Sequence, residues 1–510
     1  MSTLDAGRRH PILDQETGTL YRRGRREVVL CYPNSYAVAG SSLGFQVAYR
    51  KLNARPSLSC QRAVLWATEA DRHSDGRPLS LEHGMPLTDF DAILVSMAYE
   101  LDLVHLFELL DRAGLDVFAD KRPADAPPVI LGGPITQSNA LPLAPFVDVV
   151  VMGEADAALD TLASWLDTGV DRAELLRLAA DEPGFWVPSL HGDAVPDVLS
   201  VQGSAHIPAR GVWFSSAAEF RDMALLETSR GCPRYCRFCV VRAPASPMRS
   251  PELERVTALL DEPLYAAAPR VGFVGAAVSD WPPIKEAIAA AIDRGKGIGV
   301  SSLRADRLDE EFVDLLRAGG YRTLTVASDA PSQRMRGKMM KGLRERHFVA
   351  AAEHARRVGM TGLKMYVIVG LPEETDADLD ELIDLGQRLS QRVRTAITIS
   401  PLVPKLHTPL VDAPFAPVAV HRATLERIRR ALARRVDVRF DSPRWAWIEY
   451  RLSQGGAATG KAAWQAWRDG GSHAAWKRAF AALDRADPGE ERGASRAARQ
   501  HDLWPVAGAR

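Results

Sequence analysis

The chain has 510 residues, of which 64 are lysine or arginine and 64 are aspartate or glutamate, so its formal net charge is zero. This balance gives no electrostatic reason to expect nucleic acid or an acidic membrane surface as a partner. No run of about 18 apolar residues predicts a membrane-spanning helix, and the N-terminal sequence lacks the apolar core of a signal peptide. The five unevenly placed cysteines argue against a disulfide framework, so the sequence predicts a cytoplasmic protein.

The first part of the chain predicts a doubly wound domain. Residues 1–26 are polar and basic, which is typical of a poorly ordered arm. Over residues 27–200, short apolar runs alternate with helical segments, and this pattern favours a Rossmann-like α/β domain whose parallel sheet is covered on both faces. The strand candidates are "EVVLCYP" (27–33), "RAVLWAT" (62–68), "DAILVSMA" (91–98), "PVILGGP" (128–134) and "VDVVVMGE" (147–154).

A second alternating series occupies residues 201–405 and predicts a partial (β/α)6 barrel of the TIM type, whose carboxyl-end loops carry the chemistry. Residues 406–485 predict a mostly helical extension, with the tryptophans of 461–484 packed against the barrel. Residues 486–510 have the composition of a disordered tail. The barrel strand candidates are "MALLE" (223–227), "RVGFVGA" (270–276), "KGIGVSS" (296–302), "YRTLTVAS" (321–328), "LKMYVIVG" (363–370) and "RTAITIS" (394–400).

Three of the five cysteines lie in one short segment, "CPRYCRFC", directly after the first predicted barrel strand. Cys232, Cys236 and Cys239 have the spacing C-x3-C-x2-C. Structural zinc takes four ligands, and the sequence offers no fourth ligand nearby, so zinc is the weaker alternative. Soft thiolates also select iron–sulfur clusters, and a [4Fe-4S] cluster held by three cysteines leaves one iron without a protein ligand.

This spacing on the first loop of a six-unit barrel resembles the radical S-adenosylmethionine (SAM) superfamily. The resemblance implies that Cys232, Cys236 and Cys239 hold a [4Fe-4S] cluster whose open iron binds SAM. It further implies reductive cleavage of SAM to a 5′-deoxyadenosyl radical, which abstracts hydrogen from a small-molecule substrate that the sequence does not identify. A reducing partner such as flavodoxin or ferredoxin is implied as well. No individual catalytic residue stands out in the sequence.

Further residues match family positions that contact SAM, and for the polar ones capping of a strand end is the alternative. Phe238 is the aromatic residue before the last cysteine, and Gly275 matches one position of a second-strand turn that here lacks the usual glutamate. Asp329 stands where glutamate is commoner, and "VIVGLPEET" (367–375) resembles the turn that frames the adenine. The SAM contacts implied by the resemblance are Phe238, Gly275, Ser302, Arg304, Asp329 and Arg334, with Arg336 as an alternative to Arg334.

The front domain resembles the cobalamin-binding domains that precede some radical SAM barrels, with "LGGP" (131–134) and "MGEAD" (152–156) at matching strand ends. Asp71, His73 and Gly76 have the spacing of the cobalt-ligand motif of those domains, Asp-x-His-x-x-Gly. The domain either binds cobalamin or keeps the fold and has lost the cofactor, and we expect the second. The main hypothesis is a radical SAM enzyme; the alternatives are a cobalamin-dependent radical SAM methyltransferase and a non-catalytic iron–sulfur sensor or scaffold.

Overall fold

The computed structural model describes residues 8–74, 76–200, 203–242, 247–301 and 303–486. Within these ranges the chain divides into two compact units. The first unit runs to Leu226 and resumes at Leu452, and the second spans Glu227–Arg451. None of the described helices has the length and apolar character needed to span a bilayer.

The first unit is built on a six-stranded sheet with the order β3-β2-β4-β5-β6-β7, and the short strands β1 and β8 pair separately. Strands β2 to β6 are parallel and β7 is antiparallel to β6. This order is typical of flavodoxin-like doubly wound sheets and confirms the predicted fold class. The strands are β1 (Glu16–Thr17), β2 (Arg26–Ser35), β3 (Leu58–Trp66), β4 (Ala92–Ser96), β5 (Val129–Gly132), β6 (Val149–Val151), β7 (Phe185–Trp186) and β8 (Phe214–Ser215).

Helices cover this sheet. Serine and aspartate caps begin several of them: the side chain of Ser42 accepts a hydrogen bond from the backbone N–H of Phe45, and Asp171 caps another helix in the same way. Left-handed glycines end others, as Gly114 does with φ 83°. The helices are α1 (Tyr36–Gly40), α2 (Leu43–Asn53), α3 (Glu69–Arg72), α4 (Leu103–Ala113), α5 (Ala155–Thr168), α6 (Arg172–Asp181) and α7 (Pro188–His191).

Residues 8–26 do not form the poorly ordered arm that their composition predicts. Pro11–Gln15 is a 3-10 helix, and Ile12 and Leu13 belong to the buried core of the first unit. β1 pairs antiparallel with β8 and carries Glu16, whose carboxylate accepts hydrogen bonds from the buried Arg62 at 2.8 and 2.9 Å. The polar composition did not predict this ordered segment, because the burial of Glu16 depends on Arg62, which lies far along the chain.

The described part of residues 223–440 contains seven strands, one more than predicted, and the first of them crosses the boundary between the two units. β9 to β11 form one sheet and β12 to β15 another, and a parallel bridge between Leu303 and Val326 joins the two. β15 comes from a segment that was predicted as part of a helical extension, because it is short and carries alternating charges. The strands are β9 (Met223–Ser229), β10 (Arg270–Gly275), β11 (Gly297–Val300), β12 (Thr323–Ala327), β13 (Gly362–Val369), β14 (Thr395–Pro401) and β15 (Val436–Phe440).

Helices alternate with these strands as the sequence predicts. Each long helix presents an apolar stripe to its strand; α13, for example, buries Phe348, Ala351 and Ala355. The helices are α8 (Leu253–Leu260), α9 (Pro263–Ala267), α10 (Ile284–Asp293), α11 (Glu310–Ala318), α12 (Gln333–Lys338), α13 (Glu345–Arg357), α14 (Asp376–Ser390), α15 (Val418–Leu432) and α16 (Pro443–Gln454), followed by α17 (Ala457–Arg468) and α18 (His473–Ala486).

The C-terminal helices α17 and α18 belong to the first unit, which corrects the prediction that their tryptophans pack against the barrel. The ring of Trp464 lies 4.9 Å from that of Phe118, and Trp467 lies 6.0 Å from Phe107. The Asn139 amide also donates a hydrogen bond to the carbonyl of Gly455 at 2.7 Å. Residues 487–510, which include almost all of the predicted disordered tail, lie outside the described residues.

Candidate active site

The three clustered cysteines lie on the loop that follows β9. Every residue of β9 is buried, so the strand is a fixed support for this loop. Arg230 and Arg249 exchange two backbone hydrogen bonds of 2.8 Å that close its base. Inside the loop, the Cys239 N–H donates to the Cys236 carbonyl at 3.1 Å, and the Arg237 N–H donates to the Met339 carbonyl at 3.1 Å. The cysteines therefore stand at the carboxyl end of a parallel strand, where the sequence predicted them.

The thiols influence one another electrostatically. Burial raises the pKa of Cys236; the Lys341 and Arg304 cations oppose this shift, and Asp329 adds to it. Burial also raises the pKa of Cys239 to about 11. Both thiols are protonated at neutral pH when no metal is bound, so metal binding must release their protons. Because the charges of Arg304, Asp329 and Lys341 act on the Cys236 thiol, these three side chains lie near the cysteine loop.

The donor set fits a multi-iron cluster better than a single zinc ion. Cys236 is buried, whereas Cys232 and Cys239 are partly exposed. Zinc needs its ligands to converge on one atom, whereas a [4Fe-4S] cluster distributes its cysteine ligands over separate irons. Three thiols on one loop meet the second requirement.

Phe238 packs against an apolar cluster beside the loop. This arrangement brings together the cysteine loop, α12 and the carboxyl ends of β13 and β14, which are far apart in sequence. The predicted contact of Phe238 with SAM stays a prediction. The cluster consists of Ala330, Met335, Met339, Leu371, Leu402 and Leu410, with Phe238, Ile368 and Ala413 packed against it.

Gly275 lies where β10 approaches the end of β9. A Cβ atom at this position would lie 2.3 Å from Ser229 Oγ and 2.7 Å from the Ser229 carbonyl oxygen, so only glycine permits the approach. The Gly275 carbonyl accepts a hydrogen bond from Ser301 Oγ at 3.3 Å. Ser229 Oγ itself is buried without a hydrogen-bond partner among the described residues. Sequence reasoning missed Ser229, although it stands only three residues before Cys232.

Arg304 and Asp329, two other predicted SAM contacts, already have protein partners. The Arg304 guanidinium binds the Asp306 carboxylate at 3.0 and 3.1 Å and donates to the Lys341 carbonyl at 3.1 Å. Asp329 forms an ion pair with Lys341 and has a left-handed backbone, with φ 53°. Their contacts with SAM remain predictions, and Ser302 lies outside the described residues.

Arg334 ties α12 to the start of α14. Its guanidinium binds the Asp378 carboxylate and donates to the Glu373 carbonyl at 2.9 Å. The alternative, Arg336, is fully buried beside the ring of Phe348, with its charge 5.3 Å from the ring centroid. Both arginines therefore have structural contacts, and the assignment of Arg334 to SAM is a prediction.

The predicted adenine turn after β13 is held by its own backbone. The Glu374 carboxylate accepts hydrogen bonds from the N–H groups of Gly370 and Leu371 at 3.0 to 3.3 Å. Gly370 is left-handed, and a Cβ atom there would lie 2.4 Å from His421 Cε1. His421 was not identified from the sequence, because nothing local links it to a turn 51 residues earlier.

Two family models match the chain. Residues 44–188 match the N-terminal model of radical SAM proteins, and residues 226–386 match the radical SAM superfamily model. The two matches together cover more than half of the chain. An uncharacterized protein of Methanocaldococcus jannaschii is 29% identical over 391 residues, which are 75% of this chain and 78% of that protein.

Among solved structures, the chain is similar to TsrM, a radical SAM methyltransferase from Kitasatospora setae. One TsrM structure, which has tryptophan substrate and a SAM analog bound, gives a TM-score of 0.52. It is 16% identical to this chain and covers 76% of this chain and 75% of TsrM. A second TsrM structure, with cobalamin and a [4Fe-4S] cluster bound, has a TM-score of 0.51 and 16% identity over 76% of this chain and 74% of TsrM. At this identity the likeness supports the fold.

Proposed function

Because the chain belongs to the radical SAM superfamily, whose members use a [4Fe-4S] cluster and SAM, we propose that it cleaves SAM reductively and acts on a small-molecule substrate through a 5′-deoxyadenosyl radical. The observation that carries this proposal is the C-x3-C-x2-C loop at the carboxyl end of β9. Backbone hydrogen bonds close the base of this loop. Burial and the charges of neighbouring thiols raise the pKa values of Cys236 and Cys239.

The side chains around the loop have distinct roles in this proposal. Cys232, Cys236 and Cys239 would hold the cluster, which supplies the electron for SAM cleavage when it is bound. Phe238 and the apolar cluster beside it would exclude water from the reacting groups. Gly275 lets the backbone of β10 approach the end of β9.

An electron must come from outside the chain, so we propose a reducing partner such as flavodoxin or ferredoxin. All five cysteines are free thiols. Free thiols and an oxygen-sensitive cluster both suit a reducing compartment, which supports our proposal of a cytoplasmic location.

The cobalamin-dependent alternative has two features in its favour: the doubly wound sheet, and the Asp-x-His-x-x-Gly spacing of Asp71, His73 and Gly76. Asp71 is used in the cap of α3, where its carboxylate accepts hydrogen bonds from Thr68. His73 is 75% exposed and lies 3.3 Å from Glu69. The Asp71 carboxylate is therefore held in a helix cap, and the reaction proposed above has no step that uses cobalamin.

The proposal is tested by reconstitution under nitrogen with iron and sulfide, followed by dithionite and SAM. The product 5′-deoxyadenosine is measured by mass spectrometry in the wild type, in Cys239→Ala and in the control Cys60→Ala, which changes a buried cysteine of the first unit. We expect product from the wild type and the control, and none from Cys239→Ala. A bound cluster without SAM cleavage would support the sensor or scaffold hypothesis, and a protein that binds zinc and no cluster would overturn the proposal.

A further inference from the structure

Two neighbouring barrel strands have one fully buried face and one half-buried face. In β13, Met365 and Val367 are at most 1% exposed, whereas Lys364, Tyr366 and Ile368 are half-buried. β14 alternates in the same way. Side chains of a strand alternate between its two faces, and the outer face of a barrel strand is covered by helices. The half-buried set therefore faces the barrel interior.

Strand register places several polar groups side by side on this inner face. Tyr366 stands opposite Thr398, and Thr398 stands opposite Arg439 of β15. Two residues earlier in each strand, Lys364 is in register with Ala396, and Ala396 is in register with Asp437. Because in-register residues of parallel strands point to the same side, these side chains form one polar surface across β13, β14 and β15.

Two groups on this surface have no hydrogen-bonding or charged partner in the described part of the chain. The Lys364 ammonium lies 4.7 Å from the centroid of the Tyr366 ring and forms no ion pair with a carboxylate there. Thr398 Oγ1 is buried and has no hydrogen-bond partner. Arg439, in contrast, is neutralised by Asp437, with nitrogen–oxygen distances of 2.7 and 3.1 Å. The surface therefore carries one uncompensated positive charge and one unused hydroxyl.

Two other barrel strands carry glycines that are in register with each other. Gly272 of β10 is in register with Gly299 of β11. The neighbouring Ile298 points the opposite way, because a Cβ atom on Gly319, just after α11, would lie 2.3 Å from its Cγ1. Gly299 and its partner thus lie on the inner face, where they carry no side chain.

We infer that Lys364, Tyr366 and Thr398 form a subsite that binds a carboxylate group of the substrate. The inference rests on the proposed function and adds the substrate class. One uncompensated ammonium matches a monoanion, whereas a phosphate monoester brings nearly two negative charges. Two hydroxyls beside the ammonium supply hydrogen bonds to the two carboxylate oxygens, and such charge-assisted bonds are strong in a partly desolvated site.

The test measures binding to the 510-residue chain by isothermal titration, at constant ionic strength and without SAM. The probes are benzoate and hexanoate, their neutral amides benzamide and hexanamide, and phenyl phosphate. The variants are Lys364→Met, Lys364→Arg, which keeps the charge, Thr398→Val and the control Lys285→Met, which removes a lysine paired with Asp309 and Glu311. Circular dichroism confirms that each variant is folded.

We expect at least one carboxylate to bind the wild type about tenfold or more tightly than its amide. That preference should disappear in Lys364→Met, weaken in Thr398→Val, and persist in Lys364→Arg and Lys285→Met. The inference is overturned if no carboxylate binds better than its amide, if Lys364→Met keeps the preference, or if phenyl phosphate binds more tightly than both carboxylates. Formation of 5′-deoxyadenosine without carboxylate binding would overturn this inference alone; carboxylate binding without SAM cleavage would overturn the proposed function alone.

Discussion

Arg62 of the first unit and Lys364 of the second are two interior cations with different partners. In the first unit, Arg62 is fully buried and its guanidinium binds Glu16 and Glu82, at 2.6 Å for the latter, with the rings of Tyr49 and Trp213 beside it. In the second unit, Lys364 faces the barrel interior without a carboxylate partner in the described residues. A charge with all its partners stabilises the fold, whereas a charge without one is available to a ligand. On our inference, this difference separates a structural cation from one that binds the substrate.

Replacement of Arg62 should have the largest effect on stability. The variant Arg62→Met leaves Glu16 and Glu82 buried without their partner, and we expect a loss of about 3–5 kcal/mol in the free energy of unfolding. Urea unfolding followed by tryptophan fluorescence measures it. The control Arg177→Met removes an exposed pair with Glu174 and should leave the free energy of unfolding almost unchanged. Equal effects of the two substitutions would contradict the structural role of Arg62.

Gly275→Ala should disturb the cysteine loop. Its Cβ atom would meet both the backbone and the hydroxyl of Ser229, and we expect a cost of about 1–3 kcal/mol together with reduced iron content after reconstitution. Gly337 in α12 is the matched control, because no atom lies within 4 Å of an added Cβ there. Gly337→Ala should leave iron content unchanged. Full iron loading in Gly275→Ala would show that the close approach to Ser229 is not needed for the cluster site.

The Arg334–Asp378 pair should make a smaller, pH-dependent contribution. Burial opposes ionisation of Asp378, but hydrogen bonds from Arg334 and Ser332 outweigh it and hold its pKa below the usual range. A carboxyl group with a lowered folded-state pKa stabilises the protein above its unfolded pKa of about 4, and this contribution is lost as pH falls through the folded value.

We therefore expect Asp378→Asn to cost about 1 kcal/mol near neutral pH and progressively less below about pH 4. Unfolding curves of the variant and the wild type between about pH 3 and 7 measure the difference. A difference that grows as pH falls would contradict the assignment.

Lys364→Met should have the smallest effect on stability. It removes a cation–π contact with Tyr366 worth about 0.5–1 kcal/mol and leaves no buried carboxylate unpaired. The same urea experiment compares it with Arg62→Met. A loss as large as that of Arg62→Met would show that Lys364 is structural and would remove the contrast between the two units.

The sequence by itself determined the repeating elements and the cysteine loop. Apolar runs predicted the doubly wound sheet and six of the seven strands of the second unit, because a buried strand needs only a local run of apolar side chains. Some boundaries moved: β3 begins at Leu58, four residues before the predicted strand, because the polar residues Ser59 and Gln61 are buried in it. Cys232, Cys236 and Cys239 lie within eight residues of one another, so their spacing could be read directly from the sequence.

Only the tertiary structure decided which distant residues meet. The burial of Glu16 depends on Arg62, 46 residues away, and α17 follows a loop held by Asn139, which lies 316 residues from Gly455. The same holds for Lys364 and Thr398, which share a face because of strand register. Local patterns set secondary structure, but the burial of a charge or hydroxyl depends on its neighbours in space, and a linear sequence does not identify them.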